Sequence, residues 1–295
     1  MKNYLTLDIG GTEIKYGVIN EDEKLLYKNI TPTNGHLGGN NIIKTIKELY
    51  HSLNNEYQLE GIAIASTGAI DMNGQMLTPS ISIIDFEKIN FKRDLRDLNV
   101  LVSAENDVKC MALCEKDLVP NYQKLNTIVA LTIGTGIGGA IIFNNELYRG
   151  FSYTAGEVGR MFITNENNFE EIAATNSLVE NAQKFYPHIK NGIDVFNYYD
   201  NKDVNIIPVV DKFYNDLATG IANIIYILNP EHIIIGGGIT NRGDRFINEL
   251  DYFLKPKLWD YLQDKYTLSI AKHKNDAGMI GAFKYFKQLY LEKKC

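Results

Sequence analysis

The sequence predicts an α/β protein built from two similar halves, and three observations carry that prediction. Apolar strand patterns alternate with amphipathic helix patterns along most of the chain, which implies a mostly parallel sheet flanked by helices. A unit of strand, glycine turn and strand occurs twice, as "YLTLDIGGTEIKYGVIN" from residue 4 and "TIVALTIGTGIGGAIIF" from residue 127. The length of 295 residues suits two domains of about 100–150 residues each.

The first half opens with strands over 4–9, 14–19 and 24–30. Ile14, Tyr16 and Val18 alternate with Glu13, Lys15 and Gly17, a period of two. The break at Gly10–Gly11–Thr12 fits neither G-x-x-x-x-G-K-[ST] nor a G-x-G-x-x-G that opens a helix. It is a tight turn between strands, able to aim backbone N–H groups at an anion. Asp8 ends the first strand, where a carboxylate can hold a metal. A helix follows over 40–57, with Ile42, Ile43, Ile46, Leu49, Tyr50 and Leu53 on one stripe. "LEGIAIAST" is a buried strand, and "DMNGQM" holds an Asn-Gly hairpin signal. Residues 99–118 read as strand, polar break at "AEND", and helix, so Asn106 or Asp107 falls at a helix N-terminus. The plain reading of either is an N-cap.

The second half repeats the order: strand, glycine turn, strand, the short turn "FNNEL", and a third strand. One phosphate loop per half is the functional reading of the repeat. Helices fit 169–185 and 208–228, and "PEHIIIGGGITNRGDRFINELDYFL" is strand, triple glycine, helix. A last strand precedes a helix with Met279, Ile280, Phe283, Phe286, Leu289 and Tyr290 inward. The expected domains are 1–120 and 121–275, with a hinge near 118–126 and helix 276–295 packing back on the first.

Hydrophobic content of 45% marks a globular chain, and a formal charge of −6 argues against nucleic acid or anionic lipid as partner. Cys110, Cys114 and Cys295 make no disulfide framework. Cys110 and Cys114 share a helix face and read as buried apolar residues, while Cys295 lacks the spacing of a prenylation signal. The first strand begins within three residues of Met1, and no apolar run approaches the roughly 20 residues of a membrane span. A cytoplasmic protein is expected. The five histidines show no ligand spacing, and the aromatic residues follow helix and strand periods.

Six blocks, in order, resemble the ROK family of sugar kinases within the actin-like ATPase fold. They are "DIGGT" at 8–12, "ENDVKCMALCE" at 105–115, "IGTGIGGAI" at 133–141, "GEVGR" at 156–160, "LNPEHIIIGGGI" at 228–239 and "NDAGMIGA" at 275–282. The resemblance implies duplicated ribonuclease H-like domains with a cleft between them, and it is strongest to the β-glucoside kinase branch. It implies that Gly10, Gly11 and Thr12 touch ATP phosphates and that Gly134, Thr135 and Gly136 hold the outer ones. Gly236, Gly237 and Gly238 would lie beside the adenosine, and Asp8 would hold Mg²⁺ through water. Asp107 would be the general base for a 6-hydroxyl, in phosphoryl transfer that depends on positioning and charge neutralisation. Glu157 and Glu171 would bind the sugar, with Glu170 as the rival of Glu171, beside Asn106, Gly68 and Ser80. The plain alternative for the glutamate pair is a charged first helical turn.

Two departures stand out. Arg160 occupies the place of a family histidine that binds zinc and touches the sugar, and 161–169, "MFITNENNF", lacks the family's cysteines. Zinc takes about four N or S ligands, so no structural zinc is expected. Arg160 would donate to the sugar or pair with Glu157. A homodimer is implied by the family. The substrate stays open between a β-glucoside, glucose and N-acetylmannosamine. A non-catalytic sugar-sensing regulator is the alternative of another class, disfavoured by the charge and by Asp107.

Overall fold

A computed structural model describes residues 1–292; Cys295 and the tail of the expected helix 276–295 lie outside them. The described residues form two compact units. Unit 1 comprises 1–117, 149–154 and 275–292, and unit 2 comprises 118–148 and 155–274. A single division near 118–126 therefore misses the return of 149–154 to unit 1.

Unit 1 holds a five-stranded sheet in the order β3-β2-β1-β4-β5. The strands are β1 (Asn3–Ile9), β2 (Glu13–Asn20), β3 (Leu25–Pro32), β4 (Leu59–Ser66) and β5 (Leu101–Asn106). β1, β2 and β3 meander antiparallel, and β4 and β5 add in parallel beside β1. On one face, Leu5, Leu7 and Ile9 pack with Ile42, Ile43 and Ile46 of α1 (Gly39–Tyr57). A short α2 (Phe91–Asp94) packs there too through Phe91, with Asn90 accepting from Arg93 N as its cap. The Asn-Gly segment closes as a turn, with one bridge between Ile70 and Met76 rather than a hairpin. There the Asp71 carboxylate accepts from Asn73 N and Gln75 N and ties the bend locally.

The other face is built for close approach. Tyr4, Thr6 and Asp8 alternate toward α9 (Ala277–Tyr290), and small Ala63 and Ala65 line β4 beneath it. Thr6 Oγ1 donates to Met279 O at 2.6 Å. Phe283 and Phe286 lie tilted against Tyr4 at 4.8 and 5.2 Å between ring centres. α9 also lies on α3 (Asp107–Glu115), and Gly281 is what lets it. A side chain at Gly281 would meet Cys110 Cα at 2.9 Å and the Cys110 carbonyl closer still. Cys110 and Cys114 are buried in this packing as apolar residues.

Unit 2 repeats the sheet: β8-β7-β6-β9-β10, read from the antiparallel side. Its strands are β6 (Thr127–Ile133), β7 (Ile137–Phe143), β8 (Glu146–Tyr148), β9 (His232–Gly236) and β10 (Thr267–Ile270). The hydrogen-bonding pattern is that of unit 1, antiparallel through β6–β7–β8 and parallel through β6–β9–β10. The duplication read from the repeated glycine unit thus extends to whole sheets. Val129, Leu131 and Ile133 bury against α7 (Ile207–Leu228) and α8 (Asp244–Leu254).

The single helix expected over 169–185 is two, α4 (Phe169–Ala173) and α5 (Thr175–Gln183), separated by an extended Ala174. The break lets Thr175 N donate to Gly134 O at 2.8 Å instead of continuing the helix. α6 (Gly192–Asp200), capped by Asn191 accepting from Asp194 N, lies in a stretch for which no helix was expected. Among the described residues no helix is long and apolar enough to cross a membrane.

Candidate active site

Strand register collects the predicted residues of unit 1 at one edge. Asp8, Ala65 and Glu105 form one row across β1, β4 and β5, and Ile9, Ser66 and Asn106 form the next. Gly10–Thr12, Gly68 and Asp107 therefore leave the sheet side by side, at the carboxyl ends of parallel strands where open α/β sheets bind ligands. Gly10 N donates to Glu13 O at 3.0 Å, and Thr33 Oγ1 bonds Gly10 O at 2.7 Å, so the first glycine turn is tied down. Gly11 lacks a side chain because Ser82 crosses there: a Cβ would meet Ser82 Oγ at 2.7 Å. Ser80 is half-buried on the same segment, and its Oγ accepts from Ser82 N at 3.2 Å.

Asp8 lies under the start of α9. A side chain at Gly278 would stand 2.6 Å from its carboxyl carbon. Its cationic neighbour is Lys15 at 3.6 Å, directly opposite on β2. Burial pushes the Asp8 carboxyl above the ordinary range and outweighs Lys15, which pulls it down.

Asp107 is the first residue of α3, half-buried, where the helix dipole favours a carboxylate by about 0.3–1 kcal/mol. Asp107 Oδ1 accepts from Val108 N at 2.9 Å and from Asn106 Nδ2 at 3.0 Å. Asn106 is the N-cap: its Oδ1 accepts from Val108 N and Lys109 N. Its Nδ2 donates to Gly68 O at 3.1 Å as well as to Asp107. Both amide hydrogens of Asn106 thus face protein acceptors, so Asn106 orients the Asp107 carboxylate and links it to the Gly68 turn. Gly68 has φ +87, and its carbonyl is the part that participates.

In unit 2 two glycine loops leave adjacent parallel strands, since Thr132 of β6 pairs with Gly236 of β9. Gly134 N donates to Gly136 O at 3.0 Å, which leaves Thr135 at an exposed tip. Gly237, at φ +91, passes so close to Ile133 that a Cβ would lie 2.8 Å from its nitrogen. No atom stands within 4 Å of where a Gly134 or Gly238 side chain would be. The loop "GEVGR" lies backbone-to-backbone on β7: a Cβ at Gly156 would meet Gly139 O at 2.7 Å. Glu157 is exposed at the start of its 3-10 turn, Val158–Arg160.

Two expectations change here. Glu171 is exposed and closes a capping box with Asn168, with Glu171 N donating to Asn168 Oδ1 at 3.0 Å and Asn168 N to Glu171 Oε2 at 2.8 Å. The inward residue is Glu170, half-buried, whose Oε2 would be 2.7 Å from a Gly136 Cβ and accepts from Ile137 N at 3.4 Å. Arg160 pairs with Glu170 Oε1 at 2.9 Å rather than with Glu157, because the 3-10 turn carries it toward the start of α4. The spacing Asn168-x-x-Glu171 is a capping-box signature, and it was the available signal for choosing between the two glutamates. The stretch that carries zinc ligands in the family is closed by protein bonds: Thr164 Oγ1 accepts from Asn167 N, and Ile163 N bonds Asn167 O.

Two α/β units of identical strand order, each with a glycine hairpin between its first two strands, define the actin-like ATPase fold. Residues 4–289 match the ROK family, and the chain belongs to it. A β-glucoside kinase of Listeria innocua is 35% identical over 295 residues, covering 95% of this chain and 96% of its own. The structure of a candidate N-acetylmannosamine kinase from Listeria monocytogenes superposes with a TM-score of 0.86 at 30% identity, over 97% of this chain and 99% of that one. A ROK family glucokinase of Streptomyces griseus, solved with glucose and AMPPNP, gives 0.79 at 21% identity, over 95% and 97%. That last likeness concerns the fold.

Proposed function

We propose that this protein is an ATP-dependent sugar kinase that phosphorylates the 6-hydroxyl of a hexose or β-glucoside, with Asp107 as general base. The observation that carries the reading is the setting of Asp107: a carboxylate fixed by Val108 N and Asn106 Nδ2 at a helix N-terminus, in the same strand-end row as Gly10–Thr12 and Gly68. The sugar hydroxyl gives its proton to the Asp107 carboxylate as its oxygen bonds the γ-phosphorus. The bond from that phosphorus to the ADP oxygen breaks, leaving ADP and the sugar phosphate. One oxygen of Asp107 accepts from two donors, which orients the group for this transfer.

In unit 2 the exposed Gly134–Gly136 turn and the Gly236–Gly238 turn are the nucleotide-binding turns of this reading, and in unit 1 Gly10–Thr12 is its phosphate-binding turn. Glu170 replaces Glu171 as the carboxylate partner of sugar hydroxyls beside Glu157, with Arg160 bonded to it. Gly68 and Ser80 line the sugar. Mg²⁺, when bound, neutralises phosphate charge. Asp8 fits it: a carboxylate desolvated under Gly278 gains from a cation, and Mg²⁺ retains waters, so one protein ligand suffices. No zinc is part of this reading, because 161–168 offers no cysteine or histidine as ligand.

The similarity to β-glucoside kinases supports a β-glucoside as substrate. N-acetylmannosamine is the second reading, favoured by the Listeria monocytogenes likeness. ADP release measured over a panel of cellobiose, gentiobiose, glucose and N-acetylmannosamine ranks them by kcat/KM. On the best sugar Asp107→Asn is expected to lose roughly 10²–10⁴ in kcat, about 3–5 kcal/mol of barrier, with the sugar still bound. Near-normal turnover by that variant removes Asp107 from the role.

A further inference from the structure

Residues 149–154, "RGFSYT", belong to unit 1 although the chain on either side belongs to unit 2. This six-residue strap is fastened at both ends. Arg149 Nε donates to Glu105 Oε2 at 2.7 Å, and its guanidinium lies 4.9 Å from the centre of the Tyr285 ring. Four residues on, Tyr153 O accepts from Lys109 Nζ at 2.6 Å. The two fastening side chains flank the proposed base symmetrically, Glu105 two residues before Asp107 and Lys109 two after.

Both fasteners are 1% exposed. Charged groups so buried are costly unless bonded, so their retention points to the bonds they make. Glu105 uses its second oxygen to accept from Asn106 N at 2.9 Å. It therefore ties the strap to the backbone of the residue that orients the Asp107 carboxylate. Lys109 N, at the other side, donates to Asn106 Oδ1 at 3.1 Å, so both fasteners converge on Asn106. Tyr153 holds φ +63, a conformation that bulky residues rarely adopt. Such outliers persist where surrounding structure imposes them, often at functional sites.

We propose that Glu105 and Lys109 are positioning residues that clamp the 149–154 strap across the β5–α3 turn and thereby fix Asn106 and, through it, the Asp107 carboxylate. The proposal rests on the kinase reading of Asp107. It goes further in assigning a buried ion pair, a buried ammonium and a strap to the precision of that base. Both fasteners are buried and bonded to the strap, so their loss is expected to act on the chemical step and to spare sugar binding.

The test combines steady-state kinetics with amide hydrogen exchange on the full chain. Lys109→Met removes the donor and keeps side-chain length. Its kcat is expected to fall about 10–100-fold, in line with a sub-ångström to 1 Å displacement of a reacting group. The sugar KM should stay within about threefold, and exchange across 149–154 should accelerate. Glu105→Gln leaves one acceptor oxygen for two donors, Arg149 Nε and Asn106 N, so it should show the same loss of kcat. If Lys109→Met does not fold, Arg149→Gln releases the same strap from its other end and should give the same signature. Wild-type kcat with a loosened strap, or a kcat loss with unchanged exchange at 149–154, overturns the proposal. A wild-type enzyme inactive on every sugar instead overturns the kinase reading and with it the catalytic half of this proposal. Unchanged exchange in both variants would then overturn the anchoring half.

Discussion

Replacing Gly281 with alanine puts a single methyl group at the contact between α9 and α3. Considered as an isolated helix change it stabilises, since alanine in a helix interior is favoured over glycine by about 0.8–1.0 kcal/mol. The contact reverses the sign. The new Cβ would meet Cys110 Cα at 2.9 Å, whereas carbon atoms prefer roughly 3.5–4.0 Å. The obstacle is backbone, and the Cys110 carbonyl lies closer still than its Cα, so no rotamer change relieves it and the helices must part by more than about 1 Å. Overpacking of this kind costs about 1–3 kcal/mol. At the upper end, less the helix gain, a net loss of about 2 kcal/mol results. Chemical denaturation should report it directly, and thermal unfolding as a drop of about 4–8 °C at 2–4 °C per kcal/mol. Because Asp107 is the first residue of α3, kcat should fall by about tenfold or more as well. A Gly281→Ala protein as stable as wild type, or more so, would refute the seating of α9 against α3.

Other perturbations discriminate at single residues. Glu170→Gln should cut kcat/KM by about tenfold or more, because it removes a carboxylate partner worth about 1.5–3 kcal/mol. Glu171→Gln should leave kinetics intact and cost under about 1 kcal/mol of stability through its capping box; the reverse pattern restores Glu171 to the site. Asp8 has a folded-state pKa above its unfolded value, so its protonated form favours folding and that contribution fades as pH rises through the raised value. Asp8→Asn should therefore gain stability at pH 7 relative to wild type, gain less at pH 4, and lose Mg²⁺-dependent turnover; a larger gain at pH 4 would contradict the burial argument. Burial, and then the carboxylates of Glu105, Asp8 and Asp107, push the Cys110 thiol well up, and burial raises Cys114 too. Iodoacetamide at pH 8 should leave both unmodified in the native protein and alkylate both in denaturant, read by peptide mass spectrometry.

The sheets were legible because each strand carries its own period and each glycine break sits between two strands. Asp107 was legible for a similar reason: "AEND" joins a strand pattern to a helix pattern, and the junction is local. The break at Ala174 was not. Phe169 and Ala173 are spaced four apart, and so are Ala174, Leu178 and Ala182, so each side of the break reads as helix by itself, and what interrupts the helix is a bond from Thr175 N to Gly134 O, far away in sequence. Glu170 and Glu171 are adjacent and chemically identical, so only a reading of the helix cap separates them. The partners of Arg160, Glu105 and Lys109 are likewise set by tertiary placement. Their charges were visible in the chain, and their bonds were not.

The order in which unit 1 is assembled has a consequence during synthesis. Its first strand leaves the ribosome before any of unit 2, yet the helix that covers Asp8 and braces α3 is translated only after all of unit 2. Until then the Tyr4, Ala63 and Ala65 face of the nascent sheet is uncovered. The amino-terminal half therefore waits, open to chaperones, for a late-made helix before its two key carboxylates are seated.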